Sequence, residues 1–517
     1  MSERQQADRE ENRGRQEPDP GDVLRGWSAT VGQEAADSLE RMPSAPDPAF
    51  HAQLDTSVPR QLELGSGTAI FVLGSAAHAR SPVAGLEIDV DGRRTPAMAS
   101  RMPRLDRDTY RSGFWAVVPF PAAAGPGEAE ISLVARLEGG GESRAALARV
   151  RLTESDRAPA PAANGATVAI CMATHNPDPG LFAAQVESIR AQTDPDWVCV
   201  VSDDDSDPTA RAAIEEVLGD DRRFHLSRSE RRLGVYRNFE RALALAPRSA
   251  ALVAIADQDD RWHPEKVAAL RAGLGGARLV YSDQRVVGAD GAVLRETFWS
   301  GRRNNHTNLT SLLIANTVTG AASLMRRELL DDALPFPAAP GEPYHDHWLA
   351  LVAILTGGIA YLDRPLYDYV QHEASVLGHA GANTVPGRGG LAPLRRILRG
   401  QRPAVGWRSL YFFEYCRLAL FATVLLLRCG DRMRASDRHS LERFLRAETS
   451  PLRAAALGAR SARGLWGRNE TLGAERRLAA GLLWRQVLPL LPDAAGRRLA
   501  HDSSLPERGP REMRGAE

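Results

Sequence analysis

Asp257-Gln258-Asp259-Asp260-Arg261-Trp262 places three carboxylates within four residues, directly after the apolar run Ala250–Ala256. A run of that length reads as a buried strand, which would hold the acids together at its carboxyl end. Carboxylates so crowded repel one another and raise each other's pKa unless a cation neutralises them. Hard oxygen ligands suit Mg2+ or Mn2+, and Mg2+ commonly joins one or two carboxylates to substrate phosphates. An acidic turn capping a helix near Pro264 is the competing reading, and the motif alone does not separate the two.

The elements that must position this cluster alternate strand with helix. Val168–Met172 reads as a strand, Leu181–Gln192 as a helix, and Trp197–Val201 as the next strand, closed by Asp203-Asp204-Asp205. Ala210–Leu218 and Arg237–Ala246 are further helices, the second leading into the strand before Asp257. This alternation predicts a parallel α/β sheet with helices on both faces. Ligands of such sheets sit beyond the carboxyl ends of the strands, where both acidic clusters fall.

Length and composition frame the rest. The 517 residues suit about three domains, and 43% hydrophobic with 25% charged residues is a globular composition. Formal net charge is zero, so bulk charge names no partner, and no nucleic acid is expected. The balance is uneven: Gly381–Glu517 holds 25 Arg against 12 Asp+Glu, a surplus of +13. Lys266 is the one lysine. Cys171, Cys199, Cys416 and Cys429 form no CxxC pair, which argues against a zinc site or a disulfide framework. Met1–Pro20 is polar, so no signal peptide is expected, and a cytoplasmic location follows. The longest apolar stretch, Tyr411–Leu427, is interrupted by Glu414 and Arg417. It reads as a buried helix, with a peripheral membrane contact of the C-terminal region as the alternative.

Residues 1–50 are polar and predicted disordered, with a short helix near Val31–Arg41. Residues 51–155 carry short alternating runs with turn signals, which predict a β-sandwich-like accessory domain. Residues 156–166, rich in Ala and Pro, read as a stiff linker, and 167–385 as the α/β domain. Residues 386–502 read as an Arg-rich helical domain with helices at Leu391–Leu398, Trp407–Leu427, Asp437–Leu445 and Leu472–Leu490, and 503–517 as a tail.

Nine fragments then occur in a fixed order: Cys171–Asn176, Ser188–Thr193, Val201–Asp207, Leu233–Phe239, Asp257–Trp262, Tyr281–Asp283, Asn316–Gly320, Tyr344–Leu349 and Tyr369–His372. Each is weak alone. Together, over Val168–Gly378, they resemble family-two glycosyltransferases of GT-A fold, most closely the bacterial rhamnosyltransferase branch. The resemblance implies a Rossmann-like mixed sheet and a nucleotide-sugar donor. Donor nucleotide contacts are implied at Thr174, Asn176, Asp203, Asp204, Asn238 and Asp257. A Mn2+ or Mg2+ cofactor is implied on Asp257, Asp259 and His372, and a catalytic base at Asp346. Asp260, Trp262, Thr319, Gly320, His345, His347 and Trp348 fall in the implied acceptor or sugar region, with His345 and His347 tuning Asp346. Asp205 stands where this motif normally has Gly, which requires a left-handed turn at an Asp.

The implied reaction is inverting transfer, with rhamnose from dTDP-rhamnose as the donor, onto a cell-surface polysaccharide or glycolipid. The β-rich, GT-A and helical succession is also similar to galactofuranosyltransferases of actinobacterial cell-wall synthesis, which implies a UDP-sugar instead. A non-catalytic carbohydrate-binding protein on the same fold is the third reading.

Overall fold

The computed structural model describes residues 47–104, 106–107, 109–154, 168–299, 301–341, 343–371 and 410–494. The expectations for residues 1–46, the linker 156–166, the helix 391–398, the 385/386 boundary, the tail 503–517 and His372 lie outside them.

Nine strands precede the linker: β1 (Phe50–Leu54), β2 (Gln61–Glu63), β3 (Thr68–His78), β4 (Val83–Val90), β5 (Arg93–Pro96), β6 (Ala99–Met102), β7 (Gly113–Phe120), β8 (Gly127–Leu137) and β9 (Glu142–Thr153). They form two sheets, β1-β3-β7-β6 and β2-β9-β8-β4-β5. Alternation decides which side chains meet between the sheets. Ile70, Val72, Phe114, Ala116 and Val118 join Ile131, Leu133 and Val150 in the inter-sheet core. The opposite faces of β3 and β7 present Phe71, Trp115 and Val117 to a second core that also contains the C-terminal helices. Both faces of these strands are therefore covered, so they read as continuously apolar.

The central sheet contains β10 (Val168–Thr174), β11 (Trp197–Asp203), β12 (Phe224–Arg228), β13 (Leu252–Ala256), β14 (Arg261–Trp262), β15 (Leu279–Gly288), β16 (Val293–Arg295), β17 (Ser323–Arg326) and β18 (Ile359–Gln371). Its order is β12-β11-β10-β13-β17-β15-β18-β14, with β16 on β15. The expectation of a parallel sheet holds for β12-β11-β10-β13 and for the pair β15-β18. β17 runs antiparallel to both β13 and β15, giving a GT-A-like mixed α/β fold. The helices are α1 (Pro179–Arg190), α2 (Pro208–Leu218), α3 (Val235–Ala244), α4 (Lys266–Leu274), α5 (Leu309–Ile314), α6 (Leu329–Ala333) and α7 (His345–Thr356). Local chemistry starts them. Asp178 accepts hydrogen bonds from Gly180 and Leu181 N–H ahead of α1, and Asp207 accepts from Ala210 N–H ahead of α2, each followed by Pro at the first turn.

The C-terminal helices are α8 (Cys416–Cys429), entered through a π-turn at Leu410–Tyr415, then α9 (Ala435–Leu445), α10 (Pro451–Ala459) and α11 (Ala474–Val487). The sequence did not anticipate α10. The stretch Leu410–Cys429 is apolar and long enough to cross a membrane by composition. Most of its apolar residues are nevertheless buried in the core shared with β3, β7 and the α/β domain, including Tyr411, Tyr415, Leu418, Phe421 and Leu425. This packing agrees with the reading of Tyr411–Leu427 as a buried helix, with protein over most of that face. Trp115 Nε1 donates 2.6 Å to the Tyr411 hydroxyl. At the other end of α8, Arg428 donates to the carbonyls of Gly67, Asp332, Ala333 and Pro335. One buried guanidinium thus ties the β-sandwich and the α/β domain to the helical region.

Candidate active site

Register aligns the carboxyl ends of three strands. Thr174 at the end of β10 lies opposite Asp203 at the end of β11, and Met172 of β10 lies opposite Ala256 of β13. Asp257 therefore emerges one residue beyond that pairing, beside the β10 terminus. The two acidic clusters share one rim of the sheet, but they differ in exposure.

Asp203 and Asp204 are buried. Asp203 Oδ1 accepts from the hydroxyls of Ser206 and Thr174, while its Oδ2 is buried with no hydrogen-bond partner among the described residues. Asp204 accepts from Leu233 N–H at 2.6 Å and Gly234 N–H at 2.8 Å, so its carboxylate pins the turn that opens α3. Gly234 has φ of 82° there, a conformation natural to glycine. Asn238 is also buried: its Nδ2 donates to the carbonyls of Thr174 and Ser202, and its Oδ1 accepts from Ser202 Oγ at 2.6 Å. Thr174, Asp203, Asp204 and Asn238, expected to contact the donor nucleotide, thus form a buried floor. The physical reason is that buried backbone groups at the strand ends need partners: Asp204 accepts from two amides and Asn238 donates to two carbonyls. Asn176 remains at the surface, with φ of 42° and its Oδ1 accepting from Asp207 N–H. Asp205 takes φ of 56°, the left-handed turn its position requires, and Arg211 pairs with it at 2.6 Å.

The Asp257–Asp260 turn divides in the same way. Asp257 and Asp259 are half-buried at the rim, whereas Asp260 is only 1% exposed. Asp260 Oδ1 accepts from Val370 N–H of β18 at 3.3 Å, and its Oδ2 has no hydrogen-bond partner among the described residues. Asp260, expected in the acceptor or sugar region, is thus enclosed beneath the rim. Beneath it lies Lys266, fully buried, its ammonium 3.6 Å from the Trp262 ring centroid and 4.4 Å from that of Tyr367, donating to the Ala321 carbonyl. Burial drives the Lys266 ammonium well below its usual range, against the pull of Asp260 and Asp257. Trp262 is 3% exposed and forms part of this cage, so it offers no stacking surface to a sugar. Lys266 was not expected here. Its being the only lysine among 65 basic residues is the signal that could have found it.

Asp257 is pushed up to about 7, first by burial and then by the charges of Asp259 and Asp346, with Lys266 opposing. Asp346, half-buried in the first turn of α7, thus joins the cluster from a distant part of the chain. Burial raises its carboxyl to about 6, against hydrogen bonds from His347 N–H, Gly320 N–H and the Asn316 side chain. Gly320 has no room for a side chain: a Cβ there would lie 2.5 Å from His345 Nε2 and 3.4 Å from Asp346 Cβ. Thr319 is half-buried on the same loop.

The other residues expected around Asp346 on this helix are buried. His345 stacks on Phe239, ring centroids 3.7 Å apart, and burial lowers its pKa to about 3. Its ring nitrogens make no hydrogen bond among the described residues, so it does not orient Asp346 through one. His347 Nε2 lies 2.8 Å from the Leu312 carbonyl oxygen, and its ring meets Phe421 of α8. Trp348 is fully buried, donates to the Ala333 carbonyl at 2.8 Å, and packs on Phe421. Successive residues on a helix point in different directions, so only Asp346 of this group remains at the rim.

Residues 169–334 match the family model for glycosyl transferase family 2. This segment is a family 2 glycosyltransferase domain. The curated y4gI protein of Sinorhizobium fredii is 27% identical over 168 residues, covering 31% of this chain and 17% of that protein. The chain therefore aligns with under a fifth of that relative's length. Among solved structures, residues 1–349 of S. aureus TarS in complex with UDP-GlcNAc are 16% identical, covering 65% of this chain and 89% of that one, with a TM-score of 0.39. The mannosyltransferase PcManGT of Pyrobaculum calidifontis, in complex with GDP-Man and Mn2+, is 17% identical over 64% of this chain and 90% of that one, with a TM-score of 0.30. The match ends before Asp346, which α7 adds to the same rim.

Among the described residues no group of three or more His, Cys, Asp or Glu could hold a metal by itself. A divalent cation that shares its ligands with a diphosphate needs only one or two carboxylates. Asp257 and Asp259 fit that demand, since the carboxyl of Asp257 is raised first by burial and then by the negative charges of Asp259 and Asp346.

Proposed function

We propose that this protein is an inverting, metal-dependent glycosyltransferase that moves a sugar from a nucleotide donor to a hydroxyl group of a cell-surface polysaccharide or glycolipid. The observation that carries the reading is that Asp346 lies close enough to Asp257, which is inside the segment matching glycosyl transferase family 2, for its charge to act on that carboxyl. One carboxylate belongs to the rim that would meet the diphosphate, and the other has a pKa suited to a base.

In this reading Asp346 removes the proton of the acceptor hydroxyl as that oxygen attacks the anomeric carbon from the face opposite the leaving group. A carboxyl at about 6 is largely ionised at neutral pH, yet more basic than an ordinary aspartate. Gly320 N–H, Asn316 and His347 N–H keep its oxygens oriented. Asp257 and Asp259, with His372, would hold Mn2+ or Mg2+, which when bound supplies positive charge for the departing diphosphate. Asp260 and Lys266 sit beneath and fix the turn that carries the two rim carboxylates.

Rhamnose from dTDP-rhamnose is the proposed donor, on the order of the nine sequence fragments. A thermal-stability scan with Mn2+ against dTDP-rhamnose, UDP-galactose, UDP-GlcNAc and GDP-mannose tests it, because a ligand of the native state raises its melting temperature. A shift specific to dTDP supports rhamnose. A shift specific to UDP sinks it in favour of a UDP-sugar, and no shift with any donor counts against transferase activity itself.

A further inference from the structure

We propose that the solvent face of α10 and α11 is a docking surface for an anionic lipid bilayer. Leu452 on α10 begins a row at helical spacing that runs through exposed alanines to Leu465 and Trp466 in the turn beyond that helix. Leu483 and Val487 on α11 and Leu490 just after it add a second row. The two helices touch closely, a Cβ at Gly458 falling 2.9 Å from Ala479 Cβ. Leu452, Leu465, Trp466 and Leu490 are 84%, 83%, 76% and 81% exposed. Large apolar side chains gathered in this way mark an interaction surface.

Charge identifies the occupant. Arg453, Arg468 and Arg476 on the same segment are exposed and form no ion pair among the described residues. The acids of the segment are all engaged: Glu470 with Arg463, Glu475 with Thr471, and Asp493 with Arg111. Apolar rows with Trp and unpaired arginines, and no unpaired carboxylate, suit the headgroup region of a negatively charged membrane. A protein partner of ordinary mixed charge would call for acids on this face as well.

The surface is tied to the candidate site. Asn469 Nδ2 donates to the Gly301 carbonyl at 2.8 Å, and Arg302 donates both to the Glu470 carbonyl and to that of Ala315. Ala315 precedes Asn316, whose side chain bonds Asp346. A bilayer docked here would lie on the flank of the site that includes the base. That link to a lipid-borne acceptor rests on the transferase reading, whereas bilayer binding does not.

The full chain should float with phosphatidylglycerol vesicles and not with phosphatidylcholine vesicles, and added salt should release it. Leu465→Ser with Trp466→Ser should weaken binding about tenfold or more. Arg453→Gln and Arg468→Gln should each weaken it about fivefold. None of these should change the thermal shift caused by a nucleotide donor, which separates failure here from failure of the transferase reading. Absence of flotation, or flotation undiminished in the Leu465/Trp466 variant, overturns the proposal. So does a dimer in sedimentation that this variant dissociates, because the face would then be covered by a second copy.

Discussion

The charge of Asp346, in the first turn of α7, helps hold the Asp257 carboxyl at about 7 at the end of β13. Folding has brought together two acids that the sequence separates by the antiparallel part of the sheet, and their charges repel.

The first prediction follows from that repulsion. Both carboxyls are raised in the folded state above the ordinary value of about 4. The folded state therefore keeps protons that the unfolded chain has released, and stability falls as pH rises from about 4 to about 7. A divalent cation removes this penalty. Mn2+ with a nucleoside diphosphate should raise the melting temperature more at pH 8 than at pH 5.5. Equal shifts at the two pH values would refute the assignment of Asp257 to the metal.

Asp346→Asn tests the base. The substitution keeps the shape and removes the proton acceptor, and transfer should fall about 10^2–10^4-fold while the donor-induced thermal shift persists. In the unaltered protein, the rate at saturating donor should drop as pH falls through about 6. Full activity of the variant would move the base elsewhere.

Gly320→Ala probes the wall beside the base. The added methyl meets His345 Nε2, and that ring is held by its stack on Phe239, so the strain passes to the Asp346 loop. Turnover should fall up to about 100-fold with donor affinity little altered. A variant with normal turnover would show that the loop yields freely.

Asn238→Ala distinguishes floor from ligand. It removes one partner each from the Thr174 and Ser202 carbonyls and the Ser202 hydroxyl, and leaves a buried void. The expected cost is about 2–4 kcal/mol in denaturant unfolding, with donor affinity per folded molecule preserved. Loss of donor affinity at unchanged stability would restore Asn238 to the nucleotide-contact set.

Arg428→Met tests the junction of the three regions. Four carbonyls from the β-sandwich and the α/β domain lose one shared donor. Stability should fall by about 3 kcal/mol or more, and limited proteolysis should release the β-sandwich sooner. Unchanged proteolysis would mean that Trp115 and Tyr411 suffice to hold it.

The sequence by itself determined what periodicity and end signals encode. The apolar runs of β10, β11 and β13, the helical spacing of α1 and α2, and the acids at strand ends were legible because each is local. The order of fragments also pointed to the family and to Asp346. Only the tertiary structure decided which acids face solvent. Asp203, Asp204 and Asp260 read no differently from Asp257 and Asp259, yet the first three turn inward to meet Ser206 Oγ, the Leu233–Gly234 amides and Val370 N–H. The same holds for Tyr411–Leu427, whose apolar face could have met lipid as well as protein. The β-sandwich covers it, and the exposed apolar surface lies instead on α10 and α11. Partners supplied from far along the chain set burial, and burial sets which carboxylate is floor, which is rim and which is base.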